Sequence, residues 1–386
     1  MGKVQATDER ISKITTLQLK HLLHTIATRQ VNGQHDVSAV PPLFIQGPPG
    51  TGKSTIPEKL YTSLGLFTRL FVCTRKEPVD ISGFPLVKDG YMTFAPLDFF
   101  TKYSDEERGK GGLIIYDDFT AAPPATQVAI HEPLVQRTVD GVPLPKSVYQ
   151  LLTGNRSTDH SGARTVLQSI NQRVTRVELV LDHEEWMSYA QQAGYDPVLV
   201  AFHNSTKGEW LHKFDPGSDE PQPSPRTWEK TDYWVTNESD IALQRVLVEG
   251  CIGKPATAAF MQFARLRNKL PDIDKLLAGG NDPKFYPADP DLRFAIISAL
   301  ISLASSVKDD PKKATPIWGR ILEYGMGFEH DGEWARALGH SLHDMDKHFK
   351  ILHLTSTWKP FCKKFQGVLA RVNQMEEVLN QVAGNS

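Results

Sequence analysis

The chain has 386 residues, 40% hydrophobic and 23% charged, with a formal net charge of −2. That is an ordinary globular composition, long enough for two or three domains, and its charge balance excludes a protein held to nucleic acid by bulk charge alone. Three scattered cysteines, Cys73, Cys251 and Cys362, exclude a disulfide framework and fit a reducing, cytoplasmic setting. The polar start, residues 1–10, has no signal-peptide core, and no run approaches about 18 apolar residues, so no membrane association is expected.

Residues 11–28 carry Ile14, Leu17, Leu19, Leu22, Leu23 and Ile26 at helical spacing and predict an amphipathic helix. A first strand at 43–46 leads to a helix at 54–64 and a second strand at 70–73. Residues 78–100, with Gly83, Pro85 and Gly90, exceed an ordinary connection and predict an inserted element. A buried strand at 113–116 ends at Asp117-Asp118, and a helix is expected over 125–138. Val139-Asp140-Gly141-Val142 reads as a hairpin turn. Strands at 148–153 and 174–181 flank a helix at 165–173. This alternation predicts an α/β fold whose parallel sheet is covered on both faces.

The texture turns helical near residue 183, with helices expected at 184–192 and 197–202. An acidic, Pro- and Ser-rich linker spans 215–225, and helices follow at 240–250, 256–267, 292–306, 316–324, 333–345 and 361–382. The apolar stretch 294–304 fits a buried helix rather than a membrane span.

The segment Gly47-Pro48-Pro49-Gly50-Thr51-Gly52-Lys53-Ser54, followed by Thr55, sits between the first strand and the next helix. Main-chain N–H groups of such a loop wrap a polyphosphate, and the helix directs its positive end at the same anion. Lys53 is placed to reach the β- and γ-phosphates, and the Ser54 hydroxyl to ligate Mg²⁺. Asp117, at the end of an apolar strand, suits the same ion, and Asp118 suits polarisation of the attacking water. Asn155, past the end of the strand at 148–153, suits a hydrogen bond to both γ-phosphate and water. Arg173 and Arg176 stand where helix gives way to strand; an arginine fork fits a γ-phosphate and, if supplied in trans, couples hydrolysis to assembly. Arg226 opens the helix after the linker, within reach of a nucleotide from a lid. His340 and His343, near Asp344 and Asp346, are explained by a solvated helix face.

In order and spacing these motifs resemble those of AAA+ ATPases, and of their MoxR-like branch. Gly47–Ser54 is similar to the Walker A motif, 113–118 to Walker B, Asn155 to sensor 1, Arg173 to the arginine finger and Arg226 to sensor 2. Asp80-Ile81-Ser82-Gly83 resembles the start of the helix-2 insert, and 139–147 the hairpin before sensor 1. The resemblance covers roughly 10–270. It implies an AAA+ αβα nucleotide-binding domain over 1–182, with the insert at about 78–100 and the hairpin at about 138–148. A helical lid over 183–280 and a helical extension over 281–386 complete the chain. It further implies ATP and Mg²⁺ as ligands, a homo-oligomeric, usually hexameric ring, and a protein client, such as one with a von Willebrand A domain. The alternatives are a DNA-acting motor and an ATP-binding scaffold with little turnover. The family places Glu where this chain has Asp118. The shorter side chain sets the carboxylate back about 1.5 Å, and a ~1 Å misplacement costs on the order of 100-fold. Arg156 and Arg176 compete with Arg173 for the trans-acting role.

Overall fold

The computed structural model describes residues 11–31, 36–95, 97–159, 164, 166–279, 283–328, 332–346 and 350–365. The chain divides into two compact units, the first comprising 1–182 and 213–227, the second 183–212 and 228–386. The expected linker 215–225 thus belongs to the first unit, as do 213–214 and 226–227 beside it, and the other residues expected as lid and extension fall in the second.

In chain order the strands are β1 (Lys13–Ile14), β2 (Leu43–Gln46), β3 (Phe67–Val72), β4 (Phe84–Lys88), β5 (Tyr91–Ala95), β6 (Gly112–Asp117), β7 (Thr138–Val139), β8 (Val142–Pro143), β9 (Val148–Gly154) and β10 (Thr175–Leu179). Six of them form a parallel sheet in the order β1-β10-β2-β9-β6-β3. The alternation of side chains fills both faces. Phe44, Ile114, Tyr116, Val148 and Leu152 pack on one side with Phe71, Phe100 and Phe119. Leu43, Ile45, Leu113, Ile115, Tyr149 and Leu151 pack on the other against Leu19, Leu23 and Tyr61. This is the α/β class expected from the sequence, and near-continuous apolar strands are what two covered faces require.

The first element differs from expectation. Lys13–Ile14 form an edge strand on β10, and the helix spans Thr16–Val31. Thr15 and Gln18 hold its start reciprocally: the Thr15 N–H donates to Gln18 Oε1 (3.0 Å) and the Gln18 N–H to Thr15 Oγ1 (3.3 Å). That capping box stops the helix from running back to Ile11. The insert is a short helix, Val79–Ser82, followed by the antiparallel β4–β5 hairpin, and the expected hairpin at 139–142 is β7–β8. The helix expected over 165–173 shrinks to Gln168–Asn171.

The second unit is helical among its described residues. Its core gathers Trp318, Ile321, Leu338, Leu342 and Phe361 around the helix Pro290–Val307, which buries Ile296, Leu300, Ile301 and Ala304. By length and composition that helix is apolar enough to cross a membrane, but half of it is buried inside the protein, as expected for a core helix. The helix expected at 361–382 is observed over Trp358–Lys364; its remainder lies outside the described residues.

Ile241–Phe263 is a single helical run broken at Gly253 (φ 77°, ψ 164°), two residues before Pro255. This matches the two helices read at 240–250 and 256–267. Such dihedrals belong almost solely to glycine. Gly253→Ala should therefore destabilise the protein by about 1–3 kcal/mol in chemical denaturation. Exposed Gly250, with nothing near its absent Cβ, should give the opposite sign on changing to Ala, by roughly 0.5–1 kcal/mol. Equal effects at the two positions would show that the break is not set by Gly253.

Candidate nucleotide-binding site

β2 lies inside the sheet between β9 and β10. From β2 the chain crosses to β3 on one side, and β10 later returns on the other. Such a switch in winding direction opens a crevice beyond the carboxyl ends of the strands. Three of the predicted motifs emerge at that edge: residues 47–54 after β2, Asp117-Asp118 at the end of β6, and Asn155 after β9.

Gly50 (φ 79°) and Gly52 (φ 91°) hold conformations that disfavour a side chain, and the space is closed as well. A Cβ on Gly50 would lie 2.7 Å from Ser224 Oγ, and one on Gly52 2.9 Å from Ile56 Cδ1. Among the described residues, no main-chain N–H of residues 50–54 donates to another protein group. The helix Thr55–Ser63 follows at once, and Thr55, its first residue, is exposed. Unused donors, a helix N-terminus and a cation make an anion cradle.

The cation is Lys53. Its buried Nζ donates to the carbonyls of Gly47 (3.0 Å) and Pro48 (2.7 Å) and to Asn155 Oδ1 (2.9 Å). Thr51 Oγ1 donates to the same Pro48 carbonyl (2.9 Å). Burial pushes the ammonium down to about 8, while Asp159 and Asp118 pull it back up.

Asp117 Oδ1 accepts hydrogen bonds from the hydroxyls of Ser54 and Thr153, the latter at 2.5 Å. A carboxylate beside a serine hydroxyl is a hard, oxygen-only donor set that fits Mg²⁺, which takes one or two protein ligands together with phosphate oxygens. Asp118 sits in the left-handed region (φ 52°, ψ 35°), and its N–H donates to Thr153 Oγ1 (3.3 Å). Burial raises its pKa, the Asp117 charge adds to that, and Lys53 and Arg226 oppose it.

Asn155 is fixed through its backbone. Its N–H donates to Thr120 Oγ1 (3.0 Å), and that hydroxyl donates back to the Asn155 carbonyl (3.2 Å).

The arginines separate cleanly. Arg156 is buried, paired through Nη2 and Nε with Asp159 (2.7 and 3.0 Å) and through Nη1 with Glu178 (2.9 Å), so it belongs to the interior. Arg176 is half-buried, bonded through Nε to Gln46 Oε1 and placed over the Phe44 ring at 5.8 Å. Arg173 is exposed, with Nη1 on the Ser169 carbonyl (2.8 Å). It precedes β10, whose first residue pairs with Leu43 at the start of β2. That is the edge opposite the phosphate loop, so the structure does not bring Arg173 to its own chain's site. Arg226 does stand at the loop: its Cβ is 3.6 Å from where a Gly50 Cβ would be, and its charge acts on both Lys53 and Asp118.

Three residues escaped the sequence reading as site residues: Thr120, Thr153 and Asp159. Thr153 lay within a recognised strand end, but nothing in its spacing distinguishes a hydroxyl aimed at Asp117. No group of three His, Cys, Asp or Glu side chains is placed to hold a metal among the described residues, and His343 instead stacks on Trp358.

No protein-family model matches the sequence, and no curated protein matches it. Solved structures similar to it include the Holliday junction branch migration motor RuvB of Thermotoga maritima, at 12% identity and a TM-score of 0.33, over 72% of this chain and 78% of that one. The ORC2 protein of Aeropyrum pernix in its ADP form is 15% identical, with a TM-score of 0.38, over 77% and 83%. NtrX from Brucella abortus in complex with ADP is 13% identical, with a TM-score of 0.30, over 78% and 65%. At these identities and TM-scores the likenesses show neither a family nor an activity.

The depressed Lys53 pKa gives a binding prediction with a definite sign. A triphosphate in this cradle would be held by the protonated ammonium, which the free protein loses as pH rises through about 8. Affinity for ATP should hold below pH 8 and fall about tenfold by pH 9, with one proton taken up on binding above pH 8. Calorimetry in buffers of different ionisation enthalpy measures that proton. A flat affinity between pH 7 and 9 without proton uptake would contradict the assignment.

Proposed function

We propose that the protein is a Mg²⁺-dependent ATPase of the AAA+ type, in the MoxR-like manner, that assembles into a homo-oligomeric ring and remodels a protein client. The observation that carries the reading is the meeting of Lys53, Ser54, Asp117 and Asn155 at one sheet edge, beside a glycine loop with unused N–H donors.

In this reading the amides of residues 50–54 grip the α- and β-phosphates, and Lys53 turns from the Gly47 and Pro48 carbonyls to the β- and γ-phosphates. Ser54 and Asp117 would hold Mg²⁺, which would supply positive charge against the negative charge of the phosphates. Asp118 orients the attacking water and accepts its proton, and Asn155 hydrogen-bonds both water and γ-phosphate. Arg226 contacts the nucleotide from beside Gly50. Arg173, exposed at the far edge of the sheet, reaches the γ-phosphate of a neighbouring subunit.

The ring, hexameric by resemblance, follows from that trans arginine. A protein client, a von Willebrand A domain among the candidates, and a cytoplasmic setting are likewise the resemblance's implications. The β4–β5 hairpin supports a client role, because Val87, Tyr91 and Met92 are more than two-thirds exposed on it.

Purified protein with Mg-ATP should release phosphate at a rate that Lys53→Ala lowers at least about 100-fold. A rate equal to that of Lys53→Ala would leave an ATP-binding scaffold instead. Because the Asp118 pKa is raised, turnover should climb with pH as that carboxyl ionises, and Asp118→Asn should lose both the rate and the acidic limb. Mixing Arg173→Ala with Lys53→Ala subunits should restore part of the activity that each lacks alone. No recovery at any ratio would remove Arg173 from the active site.

A further inference from the structure

Asn155 and Asp118 would act on the same water, yet they lie on different strand ends. Thr153 binds the Asp118 N–H from the β9 side, but the side chain that reaches Asn155 itself from the Asp118 turn is Thr120. Thr120 stands two residues beyond Asp118, in the short turn Phe119–Ala121, and is buried. Its hydroxyl accepts from the Asn155 N–H (3.0 Å) and donates to the Asn155 carbonyl (3.2 Å), so both backbone polar groups of Asn155 are held by one atom. The contact is also closed sterically. A Cβ on Gly154 would lie 2.5 Å from Thr120 Cγ2 and 2.7 Å from Thr120 Oγ1. Gly154 is therefore required for the threonine to approach.

The other side of Asn155 is anchored too. Arg156 follows it, held by Asp159 and by Glu178 of β10. The main chain of Asn155 thus has little freedom, and its amide oxygen meets Lys53 at 2.9 Å. Polar groups paired with little access to water fix geometry, because leaving a partner unpaired carries a desolvation cost.

We propose that Thr120 is a positioning residue that ties Asn155 to the Asp118 turn, so that γ-phosphate recognition and water orientation are set by one hydroxyl. This rests on the nucleotide-site reading above. It predicts that the hydroxyl controls how the site distinguishes ATP from ADP, and the rate of the chemical step, but not the grip of the loop on the first two phosphates.

The test is Thr120→Val, which keeps the shape and removes the hydroxyl, beside Thr120→Ser, which keeps the hydroxyl, and Thr120→Ala, which admits water should the valine variant fail to fold. Affinities for ADP and for a non-hydrolysable ATP analogue with Mg²⁺ are measured together with kcat and KM for ATP. Expected for Val or Ala are ADP affinity within about twofold of wild type, loss of the preference for the triphosphate, and a kcat lower by about 100-fold, as for a ~1 Å misplacement, with the serine variant recovering most of it. An unchanged triphosphate preference in Val and Ala, or a serine variant as impaired as valine, overturns the proposal. If wild type shows no turnover but Thr120→Val still loses triphosphate preference, the hydrolase reading fails and the positioning role stands. If wild type binds neither nucleotide, both fall.

Discussion

The structure depends on the register of three parallel strands. β2, β9 and β6 are neighbours, and their pairing places Gln46 opposite Gly154 and Tyr116 opposite Leu152. This brings the residues that follow each strand to one edge, where Lys53 meets Asn155 and Ser54 meets Asp117. The alternation that buries Phe44, Ile114 and Leu152 on one face and Ile45, Ile115 and Leu151 on the other makes a slip by one residue prohibitive, since every core side chain would change sides. Packing of the apolar interior thus sets the precision of the polar edge.

Electrostatics at that edge are arranged around charges that are costly to keep buried. Lys53 is depressed to about 8 by burial even with Asp159 and Asp118 in its field. Asp118 is raised by burial and by the Asp117 charge. A polyanion with a divalent cation would supply what both lack: negative charge for the ammonium and positive charge beside the carboxylates. Arg156 shows the contrasting solution, a buried cation matched within the protein by Asp159 and Glu178. That internal pairing sets it apart from Arg173, which is exposed and bonded only to the Ser169 carbonyl among the described residues.

Much of this was legible in the sequence. The phosphate loop was readable because its glycines, lysine and serine have fixed spacing, and the sheet because 43–46, 113–116 and 148–153 are apolar and short. The capping box at Thr15 and Gln18 was written there too, but the apolar period of 11–28 hid the edge strand, whose existence depends on the distant β10. The single-hydroxyl links through Thr120 and Thr153 had no local signal, since a threonine's partner is decided by register across the sheet. Nor was the left-handed backbone of Asp118 visible. It bears on the Asp found where Glu would be expected, because Asp tolerates that region better than longer side chains do.

The most direct measurement is a crystal structure of the protein with Mg²⁺ and a non-hydrolysable ATP analogue. The account predicts triphosphate oxygens within hydrogen-bond distance of the amides of residues 50–54 and of Lys53 Nζ, with the metal between Ser54 and Asp117. Nucleotide bound elsewhere, with Lys53 still donating to the Gly47 and Pro48 carbonyls, would contradict it.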